Sequence, residues 1–323
     1  MAKSKLIIIW SVISVAFFIL WVLVLYKARP PEIKTHDVKI TEIKKEESGN
    51  SSYIKWAEFK PTFEMLKKAS EIDIKTKGEI SWIDLLAYSV SKTYGSINEN
   101  SLNFIDECAE KTEKGEDISD GLKYFDFYKE VYTAVLGNFI GPKGKDYGLI
   151  AYSPIAEGFY YNHYNDFGSA RSYGFQRTHK GNDLIGSVGT PVVSVEGGYV
   201  EAIGWNVYGG WRVGIRSYDK KRYYYYAHLR KDFPFRPDLK QGDEVYAGQV
   251  IGYLGRSGYS TKENINNIET PHLHFGMQLI FDESQKDSVS EIWIDVYNIV
   301  KFLYENRSEV IYNEESKVYI EKN

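Results

Sequence analysis

Pro271-His272-Leu273-His274-Phe275-Gly276-Met277-Gln278-Leu279 alternates with period two and reads as a strand. Leu273, Phe275, Met277 and Leu279 form one face, and His272, His274 and Gln278 form the other. Two imidazoles on one side of a strand can gather around one small centre, such as a metal ion and its water. Upstream lie His179-Lys-Gly-Asn-Asp183 and the third histidine-bearing run, Tyr226-Ala227-His228-Leu229. A lone histidine reads as a satisfied surface or core residue. Here four of the six histidines fall in Gly-bounded, strand-like segments, which points to a shared site. A spacing of four puts His179 and Asp183 on one side in either a helix or a strand, and Gly181 between them argues against the helix.

Around this strand the pattern after Gly148 is one of strands and turns. Thr190 to Val195, Tyr199 to Trp205, Trp211 to Arg216, Arg222 to Leu229, Val250 to Leu254 and His272 to Phe281 are separated by Gly, Asp and Lys clusters at hairpin distances. An antiparallel β domain is expected. In the Tyr223 to Tyr226 run, alternation places Tyr224 and Tyr226 on the His228 face, either as a phenol for the site or as solvent-side and groove-lining residues. Ile292 to Tyr304 reads as an amphipathic helix closing the domain, and residues 306–323 as a loose charged tail.

Between residues 53 and 145 the period is helical. Ser81-Trp-Ile-Asp84 has the form of a capping box, followed by Ile83, Leu86, Ala87 and Val90 up to Gly95. Leu102, Ile105 and Cys108 repeat the spacing, as do Leu122, Phe125, Tyr132, Val135 and Leu136. An earlier helix spans about Trp56 to Ile72, interrupted near its start by Pro61. No glutamate here sits in an apolar setting suited to a general acid, so packing or partner binding is the expected role.

Leu6 to Tyr26 contains 21 residues without a charge, the length of a membrane-crossing helix. A cleavable signal peptide has a shorter apolar region and a small-x-small site, which Leu25 to Pro30 does not offer. Residues 1–27 are therefore expected to be a short tail and an uncleaved transmembrane anchor, with Lys3 and Lys5 before the span and Lys27 and Arg29 after it giving only a weak bias in orientation. Residues 28–52, with Pro30-Pro31, many charges and His36, read as a solvated tether. A net charge of −4 over 323 residues gives no basic stripe for nucleic acid. The single cysteine, Cys108, rules out an intrachain disulfide and reads as a small core residue.

The HxxxD of His179 and Asp183, His228 at an apolar strand end, and the HxH of His272 and His274 together resemble the LytM/lysostaphin-type zinc peptidases of family M23. Gly189-Thr190-Pro191-Val192, Gly197-Gly198-Tyr199-Val200, the Lys240 to Gly252 run and Leu254-Gly255-Arg-Ser-Gly258 carry the same resemblance, which extends from near Gly168 to near Ile294. It implies a mainly antiparallel β, LytM-like peptidase domain at residues 150–305, preceded by the transmembrane helix and a small all-α domain at residues 53–145. It also implies a Zn2+ held by His179, Asp183 and His274, with His272 as general base and His228 stabilising the oxyanion or orienting the water. Two imidazoles and one carboxylate leave an open position, as a catalytic rather than a structural zinc requires.

The implied substrate is peptidoglycan, cut in its peptide stems or cross-bridges from a single-pass cell-membrane protein whose bulk is extracytoplasmic. A protein partner for the helical domain is a further expectation. The alternative is a catalytically silent wall-binding or scaffold protein on the same fold; such versions tend to lack one or more of the five residues, and this chain has all five. Tyr259 to Thr270 is longer than the Gly/Ser link that family members often place before HxH, and is expected to form a groove wall or lid. His163 reads as a surface residue, with a plug of the fourth zinc position by His163 or Asn162 as the other reading.

Overall fold

The computed structural model describes residues 43–47, 50–54, 58–173, 175–286 and 291–322. The apolar run at residues 6–26 and His36 lie outside them. Among the described residues no helix is long and apolar enough to cross a membrane.

The first described element is a hairpin, β1 (Ile43–Glu47) paired with β2 (Asn50–Ile54), which begins inside the segment expected as tether. Four helices follow: α1 (Phe63–Thr76), α2 (Trp82–Lys92), α3 (Ser101–Glu113) and α4 (Phe125–Leu136). α1 begins after Pro61, because the residue preceding a proline disfavours the helical region, and Thr62 caps it by accepting from the Met65 N–H at 3.3 Å. The capping box expected at α2 is not formed, since the Ser81 side chain makes no cap bond. Instead Asp73, buried on α1, accepts from the Trp82 N–H at 2.7 Å and from the Tyr147 hydroxyl at 3.0 Å. A carboxylate from a neighbouring helix thus satisfies an orphan donor at a positive helix end.

Next come the hairpins β3 (Ile140–Lys143) with β4 (Asp146–Leu149), then β5 (Tyr161–His163), then β6 (Ala170–Tyr173) with β7 (Phe175–Thr178). The remaining strands are β8 (Asn182–Gly186), β9 (Pro191–Val193), β10 (Gly198–Asn206), β11 (Gly210–Ser217), β12 (Arg222–Ala227), β13 (Glu244–Val245), β14 (Val250–Tyr253), β15 (His272–Leu279) and β16 (Ile292–Ile294). One antiparallel eight-stranded sheet runs in the order β13-β10-β11-β12-β15-β8-β5, with β16 also on β15.

Two expectations at the C-terminus change. Ile292 to Tyr304 is not one helix: β16 continues the sheet, and only α5 (Tyr297–Leu303) is helical. Residues 306–323 are not a loose tail either. They form the hairpin β17 (Val310–Asn313) with β18 (Val318–Glu321), in which Val318 is buried and Glu321 accepts from the Val250 N–H. The Arg307 guanidinium donates to the carbonyls of Ile155, Ala156 and Phe159. A charged segment folds here because its polar groups find backbone partners that composition does not reveal.

Residues 41–323 form one compact unit, so the helices are a wall of the β core rather than a detached domain. Trp82 of α2 packs on Phe302 of α5 with ring centroids 5.7 Å apart. The deepest link is ionic. Arg222 on β12 is fully buried and bonds Glu196 through Nε (2.8 Å) and Nη2 (3.0 Å), Asp219 at 2.9 Å and the Ala134 carbonyl of α4 at 2.7 Å. Glu196 also accepts from the Tyr224 hydroxyl at 2.6 Å and from Asn138 at 2.9 Å. Every partner of the ion pair is thereby satisfied inside the fold. Cys108 is buried as expected, and burial pushes its thiol up to about 12.

Replacing Arg222 with Ala leaves the Glu196 carboxylate buried without its cation, and unfolding stability is expected to fall by about 3–5 kcal/mol. Urea denaturation measures it: the midpoint should drop with the m-value unchanged, and a shift within error would overturn the central role given to this pair.

Candidate metal centre

β15 presents its two faces as the alternation requires. Leu273, Phe275, Met277 and Leu279 are at most 1% exposed in the core, and His272 and His274 point the other way. The antiparallel register sets His274 opposite Asp183 and His272 opposite Ile185 on β8, bringing a carboxylate from the neighbouring strand onto the same face. His179 enters from the turn just before β8. That turn passes so close to β15 that a Cβ at Gly181 would lie 2.5 Å from the Phe275 carbonyl oxygen and 2.9 Å from His274 Nε2. Only glycine fits between the two ends of the HxxxD segment.

The three ligand atoms converge. His179 Nε2 is 2.8 Å from His274 Nδ1 and 3.1 Å from Asp183 Oδ1, and His274 Nδ1 is 3.3 Å from the same oxygen. Zinc bound tetrahedrally at about 2.0–2.1 Å sets its ligand atoms about 3.3–3.4 Å apart, so these residues fit the ion with little adjustment. Burial would raise the Asp183 pKa, but hydrogen bonds from His179 and His274 and the neighbouring imidazole charges outweigh it and hold the carboxyl far below its usual range. Burial likewise opposes a charge on His179, yet Asp166 and Asp183 together raise it to about 9. The cluster has the electrostatics of a place prepared for a cation.

Two residues that sequence reasoning missed complete the surroundings. Asp166 accepts from His179 Nδ1, with its carbonyl oxygen at 3.1 Å and Oδ2 at 3.3 Å, which directs the other nitrogen at the centre. Arg171 on β6 donates through Nη2 to Asp166 Oδ2 at 2.5 Å and to Asp183 Oδ2 at 2.9 Å, leaving Asp183 Oδ1 for the histidines. The available signal was an acid and a base close before HxxxD; separations of five to seventeen residues conceal that they meet.

The other two histidines lie beside the ligands. The His272 ring centroid is 4.8 Å from that of His228, which in turn is 5.9 Å from His274. His272 Nε2 is 3.6 Å from Asp183 Oδ1. Each has its Nδ1 against a backbone carbonyl, His272 on Thr270 at 2.8 Å and His228 on Ser257 at 2.9 Å. A carbonyl can only accept, so Nδ1 carries a proton in both rings and Nε2 is the nitrogen that holds the lone pair of the neutral imidazole. Burial first, then the nearby His272 and His274, holds His228 well below its ordinary pKa and therefore neutral.

Strict alternation fails at His228, whose φ of 61° turns it out of the strand. Tyr224 and Tyr226 therefore do not share its face. Their hydroxyls go to Glu196 and to the Val195 N–H in the core, and Tyr225 faces the site with its ring 5.7 Å from His274. His163 is not a surface residue. It packs on Tyr297 with ring centroids 4.6 Å apart, both nitrogens are buried without a hydrogen-bond partner, and burial lowers its pKa to about 4. Asn162 accepts from the Tyr160 hydroxyl. The segment 259–270 is tied down by Trp205 to the Ser260 carbonyl and by Trp211 and Asp232 to Asn264.

Residues 177–288 match the sequence profile of Peptidase family M23. The chain is 43% identical over 117 residues to the L-Ala--D-Glu endopeptidase of Bacillus subtilis, covering 36% of this chain and 34% of that one. It is 39% identical over 98 residues to lysostaphin of Staphylococcus simulans, covering 30% and 17%. The chain thus spans about a third or less of the length of these relatives. A solved structure from Ruminococcus gnavus, a lytM glycyl-glycine endopeptidase candidate, matches with a TM-score of 0.54 at 23% identity, over 77% of this chain and 90% of that one. The shared architecture therefore extends beyond the segment that matches the family.

Asp166→Asn keeps the shape but weakens the acceptor for His179, and zinc affinity is expected to fall about 10- to 100-fold. His274→Ala removes a ligand and should nearly empty the site. Chelator competition on both variants measures this, and wild-type affinity in Asp166→Asn would remove that residue from the metal's support.

Proposed function

We propose that this chain is a zinc endopeptidase that hydrolyses peptide bonds in peptidoglycan stems or cross-bridges. The observation that carries the reading is the pairing of a three-residue metal-ligating set with two further imidazoles beside it, each pinned through Nδ1 to a backbone carbonyl. His179, Asp183 and His274 would hold the zinc, which supplies Lewis acidity and a lowered pKa for bound water. The silent scaffold alternative gains no observation, since all five side chains are in place.

The residues divide the work by tautomer. His272, pinned through Nδ1 to Thr270, offers Nε2 to take the proton of the attacking water and to return it to the leaving amine. His228, neutral and pinned to Ser257, also offers an acceptor. That suits it to orienting the water, because a ring with Nδ1–H engaged and Nε2 bare cannot donate to an oxyanion until it is protonated. A Cβ at Gly258 would come within 3.1 Å of His228 Nδ1, so the glycine of the Leu254 to Gly258 run keeps the Ser257 contact possible.

His272→Ala and His228→Ala are expected to retain zinc while cutting peptide release from purified peptidoglycan by about two to four orders of magnitude. Zinc content, melting temperature and mass analysis of released muropeptides would be measured together. Loss of zinc in His272→Ala as complete as in His274→Ala would reverse the roles within the pair, and no release by the fully loaded wild type would sink the enzyme reading. The same proposal places residues 6–26 in the cell membrane with the site outside. Protease added to intact protoplasts should then remove the folded part, and a protected protein would reverse the orientation.

A further inference from the structure

We infer that the sheet face beside the candidate ligands takes a peptide bearing a free carboxylate next to the scissile bond, held by Arg212 and Arg177. This rests on the peptidase reading and specifies its substrate as an acidic wall peptide rather than an uncharged glycine bridge.

The placement follows from register. Val213 on β11 pairs with Tyr226, Ala227 on β12 pairs with His274, and His274 pairs with Asp183. Arg212 therefore lies in the same row across the sheet as Ala227, His274 and Asp183. Val213, Ile215, Tyr226 and Phe275 are buried in the core on one face, so Arg212 belongs to the opposite face, with the ligands. Two strand spacings put its Cα about 10 Å from that of His274, the span of a few atoms of substrate.

The charges on this face are not neutralised by the protein. Arg171, Arg216 and Arg222 each have a carboxylate within 3.2 Å. Arg212 has no such partner among the described residues, and its Nη1 is buried with no hydrogen bond. A buried guanidinium nitrogen left without an acceptor is costly unless a ligand provides one. Arg177 at the end of β7 lies over the rings of Tyr208 at 4.6 Å and Tyr259 at 4.9 Å, also without an ion pair among the described residues. Cation–π contact holds such a guanidinium in place while its N–H edge remains available. The Tyr259 ring is 5.6 Å from that of His228, so this second cation stands beside the non-ligand histidines.

Burial raises the Tyr225 phenol's pKa while the Asn206 hydrogen bond and the Arg212 and Arg177 charges oppose it, and its ring is edge-on to His274. The two guanidiniums thus converge on one part of the site. In a chain of net charge −4 this positive patch is local. A planar fork matched to a carboxylate is the chemistry it offers, and a run of glycines has nothing to place there.

The test uses the full-length, zinc-loaded chain and three synthetic peptides. One carries a glutamate linked through one carboxyl with the other free, its twin has that carboxyl as the carboxamide, and the third is pentaglycine. Cleavage and calorimetric binding are measured for each. The free-carboxylate peptide is expected to exceed its twin by about 10- to 100-fold in kcat/KM and in affinity, the worth of a charge-assisted contact. That preference should collapse in Arg212→Gln and in Arg177→Gln, and partly return in Arg212→Lys. If Arg212→Gln fails to fold, shown by lost zinc and a lowered melting temperature, Arg177→Gln decides alone. Equal treatment of the twins by the wild type, or preference for pentaglycine, overturns the inference and leaves the peptidase reading intact. Cleavage of none of the three with zinc fully loaded counts against the peptidase reading, and the binding ratio of the twins then still decides whether this face recognises a carboxylate.

Discussion

The register between β8 and β15 is the constraint on which this molecule depends. It sets Asp183 opposite His274, and through β12 it sets Ala227 on the other side of the same histidine. A slip of one residue would send both histidines of β15 into the core and Leu273 and Phe275 out of it. The apolar face, fully buried against Tyr224, Tyr226 and the helices, makes that slip prohibitive. Burying the core and assembling the metal centre are therefore one event.

Around that row the fold handles buried charge in three ways. Arg222 and Glu196 are paired and fully hydrogen-bonded, and they tie α4 to the sheet. Asp183 is surrounded by donors and imidazoles that favour its ionised form, which is the condition for holding a cation. Among the described residues Arg212 and Arg177 have no carboxylate partner, on the face proposed for the substrate. The first arrangement belongs to stability and the other two to chemistry, and what separates them is whether the protein completes its own hydrogen bonds.

The histidines show how backbone geometry assigns roles to identical side chains. His179 uses Nε2 toward the centre because Asp166 takes Nδ1. His272 and His228 have Nδ1 engaged by the carbonyls of Thr270 and Ser257, so Nε2 is the nitrogen each turns away from the backbone. The left-handed conformation of His228 turns its ring into this group, away from the strand pattern that precedes it.

The sequence by itself determined the main strands around β15, the helical stretch, the face of β15 and the grouping of its candidate site residues, because period-two and helical spacing and the HxxxD and HxH motifs are local properties. Tertiary structure decided what depends on distant partners. Asp73 caps α2 from another helix, the charged C-terminal segment folds onto β14, and Asp166 and Arg171 reach the ligands across turns. Tyr225 rather than its neighbours faces His274 because the register sets Ala227, two residues on, opposite that histidine, and His228 joins the same face only by leaving the strand at positive φ. His163 is half-buried against Tyr297, more than a hundred residues away. None of these can be seen from spacing, since hydrogen bonds and burial between remote segments are set only when the sheet brings them together.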